Sequence, residues 1–596
     1  MSGMPGRTLK EDHRKTWLRL WQPRHHSVFF ERHKPSKMAA AVDLYQACKS
    51  GQLAEAQRLW ASSNLTLADV RAGDNIAFRG ACEHGRLGVA QWLWALRDSA
   101  GAGLELADVR AEDNWAFHYA CANGHLEVAQ WLWALRDQAT GAGLTLADVR
   151  AEDNSAFRRA CNGHLEVARW LWALRNGAGA GLTLADVRVH NNSAFRSACA
   201  YGHLEVVQWL WALSDGVGAG LTLADVRAED NSAFRRACAN GHLEMAQWLW
   251  ALRDQATGAG LTLADVRAED NSAFRRACAN GHLATAQWLW ALRDQATGAG
   301  LTLADVRVED NFAFRRACEH GHLAMTQWLW GLRDPTTDAG LTLADVQSFC
   351  NGAFRWACTN GHLAMSQWLW ALRDGAGAGL TLADVRAGDN SAFYGACENS
   401  HLAVAQWLWA LRDPATSAGL ELADVRAYNN NIFCRACAHG HLEVVQWLWA
   451  RRDSAGAGLT LADVRADDNN AFRRACEYGR LVVAQWLVAP RLALHDPTTG
   501  AGLELADVRA CDNYAFRHAH ANGHQAVTHW LLEIGSQSTA LLPVASEEGA
   551  DCPICTAPLV DAVIAKGHDE RHATCRTCLE AWLAISRICP ICRAAL

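Results

Sequence analysis

Residues 221–260, LTLADVRAEDNSAFRRACANGHLEMAQWLWALRDQATGAG, carry apolar positions in two short runs of helical period, separated by a glycine. SAFRRACA predicts one helix, entered at Asp230 or Asn231, whose short polar side chains can accept the free amide hydrogens of a first turn. Gly241 breaks it. HLEMAQWLWALRD predicts a second helix, with Leu243, Ala246, Leu249 and Trp250 or Trp248 recurring every three to four residues on an inward face. The glycine-rich GAG closes the unit. Neither helix can bury its apolar stripe alone, so the pattern predicts stacking of the unit on copies of itself.

Those copies are present. LTLADVR or a close variant begins at Leu65, Leu104, Leu144, Leu182, Leu221, Leu261, Leu301, Leu341, Leu380, Leu420, Leu459 and Leu503, mostly 39 or 40 residues apart. A fixed period of this size predicts a mostly α solenoid, so the 596 residues form a repeat array rather than several unlike domains. Half the residues are apolar and 20% are charged, the balance of a folded chain. The net charge of −7 gives no general argument for nucleic acid or membrane as a partner, and neither is expected. No apolar run approaches the roughly 18 residues that would span a bilayer, and the N-terminus lacks an apolar signal-peptide core. The expected location is intracellular and cytoplasmic, in a host's cytoplasm were the chain viral, with the nucleus as the alternative.

Residues 1–37 differ in composition, with nine Lys or Arg against Glu11, Asp12 and Glu31. They are read as a basic, solvated, disordered extension, with a targeting segment or an acidic-surface anchor as the sharper alternative. Met38 is an equally good start. Of the 21 cysteines, fifteen lie before the last segment, thirteen of them behind an alanine or at a comparable small position. These read as small buried apolar residues, with Cys350 and Cys434 as strays and no disulfide framework. The histidine of Gly-His-Leu repeats with the scaffold and reads as structural.

The stretch DNSAFRRACANGHLEMAQWL resembles the ankyrin repeat, most closely in its GHL turn and second helix. The phrasing ADVRAEDN…AFRRACANGHLEV is similar in particular to ankyrin arrays of giant DNA viruses that infect amoebae. The resemblance runs from about Ala40, where DLYQACKSGQLAEAQRLW looks like a capping pair, to about Ile534, and implies an ankyrin-like solenoid of about thirteen helix pairs over 38–534. Two departures stand out. SAFR replaces the family's Thr-Pro-Leu-His, removing its usual cross-repeat hydrogen bonds, and the period is about seven residues longer than ankyrin's 33. LTLADV is therefore expected to form a short Thr-capped helical turn in place of a hairpin. HEAT repeats, with a period near 40, are the alternative.

Between copies, Ala-Phe, Ala-Cys, Gly-His-Leu and Trp-Leu-Trp barely change, as a shared core demands. The residue before Ala-Phe varies (Ile76, Trp115, Ser155, Phe312, Gly352, Tyr514), and so does the second residue after Phe. The resemblance implies that this second position faces the partner-binding groove, which makes Tyr119, Arg159, Arg236, Arg276, Arg316, Trp356 and Arg474 candidate substrate-binding residues. Arginines flanked by aromatics suit an acidic protein surface. The alternative is that they pair with the Glu-Asp of ADVRAED.

GSQSTALLPVASEEGA, 535–550, reads as a flexible linker. Beyond it the spacing C-x2-C-x12-H-x3-H-x2-C-x2-C-x10-C-x2-C sets out Cys552, Cys555, His568, His572, Cys575, Cys578, Cys589 and Cys592. Eight such ligands make two closed tetrahedral zinc sites. So short a region, 551–596, would draw much of its folding free energy from the two Zn2+ ions. The order of ligands resembles the RING finger, a small cross-braced domain. By that resemblance Cys552, Cys555, Cys575 and Cys578 hold one zinc and His568, His572, Cys589 and Cys592 the other. The family's third ligand is usually a cysteine nearer the histidine, so Asp569 or Glu570 is the substitute for His568. The resemblance further implies a RING-type ubiquitin-protein ligase acting without a covalent intermediate. Ile554, Trp582 and Pro590 would touch the ubiquitin-conjugating enzyme, and Arg593, as linchpin, would bridge it to ubiquitin. The expected partners are that enzyme, ubiquitin and a protein substrate recruited by the array; the alternative is a non-catalytic interaction scaffold with a structural zinc module.

Overall fold

The computed structural model describes residues 37–98, 101–136, 142–174, 181–213, 220–252, 260–293, 299–334, 338–373, 379–413, 417–451, 458–488, 503, 505–508, 510–535, 541–543, 562–565 and 574–575. The read extension 1–37 lies outside these residues except for Lys37, which opens a helix over Lys37–Ser50. The chain divides into two compact units, residues 1–189 and 190–596. Among the described residues four helix pairs lie in the first, from Lys37–Ser50 with Leu53–Ser62 to Leu146–Ala160 with Leu165–Ala173; nine lie in the second, ending at Gln525–Gly535. No helix among the described residues is long and apolar enough to cross a membrane.

One repeat of the second unit shows how the sequence builds the pair. Leu223–Val226 is a single helical turn with Thr222 at its N-cap. The Asp225 carboxylate accepts from the Thr222 backbone amide at 2.8 Å and from its hydroxyl at 3.1 Å. This is the Thr-capped turn that LTLADV predicts. Next come Glu229, Asp230 and Asn231, all with φ between 52° and 60°, before a right-handed helix runs to Ala239. Asp230 and Asn231 therefore do not cap in the expected manner: the buried Asn231 Oδ1 has no donor among the described residues. Left-handed backbone costs an L-residue roughly 1–2 kcal/mol. It is held by the first arginine after Phe, since Arg235 Nε donates to the Asp230 carbonyl at 2.5 Å and its Nη2 to the Glu229 carbonyl at 3.0 Å.

Within each unit, ion pairs join most repeats to the next. Arg227 grips Asp265 with Nε at 2.7 Å and Nη2 at 2.9 Å, and Arg267 grips Asp305 at 2.8 and 2.9 Å. Arg110 with Asp148 and Arg150 with Asp186 do the same in the first unit. Asn271 adds a hydrogen bond to Asp305 Oδ1 at 3.0 Å. Burial alone would raise these carboxyls, yet the arginine hydrogen bonds and the threonine amides hold Asp265 and Asp305 below the ordinary aspartate range. This seam supplies bonds between repeats from Arg227 and Asp265, outside the SAFR stretch.

The core lies between the helices. Phe234, Cys238, Met245, Ala246 and Leu249 are buried, while Leu243, Trp248 and Trp250 are half-buried. Ala246 and Leu249 thus face inward as expected, while Met245 rather than Leu243 begins the buried stripe. The tryptophans interlock between repeats: Trp211 meets Trp248 edge to face at 6.3 Å, and Phe234 lies 6.3 Å from Trp250 and 6.2 Å from Trp288 of the following repeat. Most of the cysteines behave as expected, and burial pushes Cys48 up to about 12. Cys434 is buried, but Cys511, behind Ala510, is exposed, because it occupies a left-handed turn position like Cys350 rather than the helix.

The GHL turn uses its glycine twice. Gly321 has φ +74°, and a Cβ there would come within 2.5 Å of Nδ1 of His362 in the next repeat. That ring cannot swing away, since its Nε2 lies 3.0 Å from the Glu319 carbonyl. Gly523 has the same turn, at φ +75°, with nothing within 4 Å. Gly321→Ala is expected to destabilise by about 2–4 kcal/mol, left-handed strain plus overpacking, and Gly523→Ala by only about 1–2 kcal/mol. Equal shifts of the urea midpoint would show that histidine stacking is not a constraint.

In the stretch read as a linker, Leu541–Pro543 pairs antiparallel with 563–565, and Ala562–Ala565 pairs with Thr574–Cys575, bringing Ala562 opposite Cys575.

Candidate functional site

The variable positions lie along one side of the first helix of each pair, and the arginine doublets show how that side divides its work. In Arg158-Arg159, Arg235-Arg236, Arg275-Arg276 and Arg315-Arg316 the first member turns back onto the left-handed turn. Arg275 and Arg315, which also lie against the rings of Phe312 and Phe349, are buried. The second member does not pair with the Glu-Asp of the turn, as one reading had it. Arg316 instead reaches Glu319 at 2.6 Å, and Arg474 reaches Glu477 at 3.2 Å. Arg236 and Arg276 are exposed and pair with no described residue. The structural duty of the first arginine was readable in its constant offset from the turn, five residues after Asp230, and was missed.

Aromatic residues interleave with these guanidinium groups. In the first unit Tyr119 stacks on Trp115 at 4.1 Å, Arg159 lies over Tyr119 at 4.9 Å, and Arg79 over Trp115 at 5.2 Å. In the second, Arg316 lies 5.4 Å from the Phe312 ring and 5.8 Å from Trp356, and Arg315 lies 4.6 Å from Phe349 and 5.4 Å from Trp356. Arg473 lies over Tyr514, whose hydroxyl donates to Glu477 at 3.0 Å. Such stacking orders the side chains before any partner arrives. Phe349 is 55% exposed where five sister repeats carry glutamate, and together with Gln347 in place of arginine it sets 341–379 apart from them. The seam persists there through Gln347 Nε2, which donates to Asp384 Oδ1 at 2.9 Å. Beside the doublets, a cleft of about 520 Å³ is lined by Arg196, Tyr201, Glu229, Arg236, Glu269 and Arg276.

Of the terminal ligands, only Cys575 belongs to a described element, the strand Thr574–Cys575. Cys552, Cys555, His568, His572, Cys578, Cys589 and Cys592, with Ile554, Trp582, Pro590 and Arg593, lie outside the described residues. No group of three or more metal-ligating side chains occurs among the described residues. The donor set itself, six thiols and two imidazoles in pairs, is the chemistry zinc takes, and these eight residues would hold it.

Stacked two-helix repeats joined by a polar seam, with a variable polar and aromatic side, define a helical-repeat protein. The family described as ankyrin repeats in many copies matches residues 196–249, from within the helix Val189–Ala200 to near the end of the helix Leu243–Ala251. Among solved structures, the pentatricopeptide repeat protein PPR10 from maize is similar at 10% identity, over 84% of this chain and 69% of that one, with a TM-score of 0.24. No curated protein matches.

Proposed function

We propose that this chain is a protein-interaction scaffold that has acquired ubiquitin-transfer activity through its last segment. The scaffold part is supported by the ankyrin match and by the variable arginine and aromatic side of the first helices. The ligase part is carried by one observation, the ordered spacing of eight zinc-type ligands over 552–592 together with Ile554, Trp582, Pro590 and Arg593. Zinc, when bound, supplies the free energy that folds so short a segment. Ile554, Trp582 and Pro590 then hold the conjugating enzyme, and the five fixed donors of Arg593 orient its ubiquitin. A substrate lysine amine attacks the thioester carbonyl; an isopeptide bond forms, and the conjugating enzyme's thiolate leaves. The array contributes by raising the local concentration of that lysine.

The full chain, incubated with activating enzyme, conjugating enzymes, ubiquitin and ATP, is expected to form ubiquitin chains. Arg593→Ala and Ile554→Ala should abolish them while each variant keeps two zinc ions per molecule by elemental analysis. Undiminished chain formation in both variants overturns the ligase reading. No activity from the zinc-replete wild type leaves a scaffold with a structural zinc module.

A further inference from the structure

Arg236 and Arg276 are the cations of the second unit's variable side that the fold does not use. Their neighbours Arg235 and Arg275 spend their guanidinium groups on turn carbonyls, whereas these two are exposed and unpaired among the described residues. Exactly one repeat separates them, and packed helices lie about 8–10 Å apart. The next repeat carries Arg316 at the same position, but that guanidinium is already paired with Glu319 and lies over Phe312 and Trp356.

We propose that Arg236 and Arg276 bind an acidic, proline-containing segment of a partner protein in the polyproline II conformation; the proposal rests on the scaffold reading and gives its partner a chemistry. That conformation has three residues per turn and rises about 3.1 Å per residue, so acidic side chains three apart share a face at about 9 Å. This matches the repeat of the arginines, and the prolines hold the segment in that conformation before it binds, at little cost in ordering. A nucleic acid fits less well. Glu229, Asp230, Glu269 and Asp270 form a strip of fixed negative charge beside the arginines, and Glu229 and Glu269 line the same cleft. A phosphate backbone carries its charge continuously and must face that strip, while a peptide can place carboxylates opposite the arginines alone.

The test uses the full chain and fluorescence anisotropy of a labelled peptide of four Glu-Pro-Pro repeats. It is expected to bind with an affinity that falls as salt rises, and the Gln-Pro-Pro counterpart at least about tenfold more weakly. Arg236→Ala with Arg276→Ala should weaken binding about a hundredfold, tenfold for each lost charged contact, with an unchanged melting temperature. A second pair, Arg236→Glu with Arg276→Glu, should exchange preference to a Lys-Pro-Pro peptide. Equal binding of the acidic peptide by wild type and both variants overturns the proposal, as does tighter, arginine-dependent binding of oligo-dT. A protein partner captured equally well with and without the two arginines overturns it too, while leaving the scaffold reading in place.

Discussion

Phe234→Ala is expected to cost about 3–5 kcal/mol, the range for emptying a buried phenylalanine site. The ring is fully buried and lies against Trp250 of its own repeat and Trp288 of the next. Neither tryptophan can collapse into the space, because each is also held by its own helix. In a repeat stack stability is a sum of repeat and nearest-neighbour terms, so the loss falls on two repeats and the boundary between them. Hydrogen exchange should therefore accelerate in 228–251 and 268–291 before it does in 461–488. A midpoint shift equivalent to less than about 1 kcal/mol, or uniform acceleration along the second unit, would contradict this account of the core.

Asp265→Ala is the second large effect, expected at about 2–4 kcal/mol. One carboxylate does two jobs: it caps the turn through Thr262, at 2.8 and 3.1 Å, and it receives Arg227 from the preceding repeat. Losing the cap costs about 1 kcal/mol and losing the charged hydrogen bonds about 1.5–3 kcal/mol. Arg227→Gln should cost less than about 1 kcal/mol, because the arginine is 38% exposed and a glutamine donor already serves the seam at Gln347. Equal losses for the two variants in urea denaturation would mean that the carboxylate matters only as a charge partner and not as a cap.

Much of this fold was legible in advance because its signals are local and repeated. Glycine in GHL, threonine before LADV and the apolar spacing of the second helix act within a few residues of themselves, and most of the twelve copies restate each one. Asn231 was misread for the opposite reason. Asparagine before a helix is a good local cap, but here the backbone is left-handed, and the sister residue Asn271 spends its amide on Asp305 of the next repeat, 34 residues away. The variable side was legible as a position and not as chemistry. Arg235 and Arg236 are the same residue type side by side; the offset of Arg235 from Asp230 hints at its duty, and the folded turn shows it committed to carbonyls while Arg236 pairs with no described residue.

The pattern of residues was enough to show that helix pairs stack at a period near 40, to name much of the core they share, and to set eight Cys and His residues of zinc-binding type in order over 552–592. The tertiary structure alone decided how one repeat holds the next, through the Arg227–Asp265 seam and the tryptophan interlock, and which arginines remain for a partner. The reason is one of range: helix and turn preferences are set within a few bonds, whereas an ion pair between residues 38 apart exists only once two repeats have been stacked.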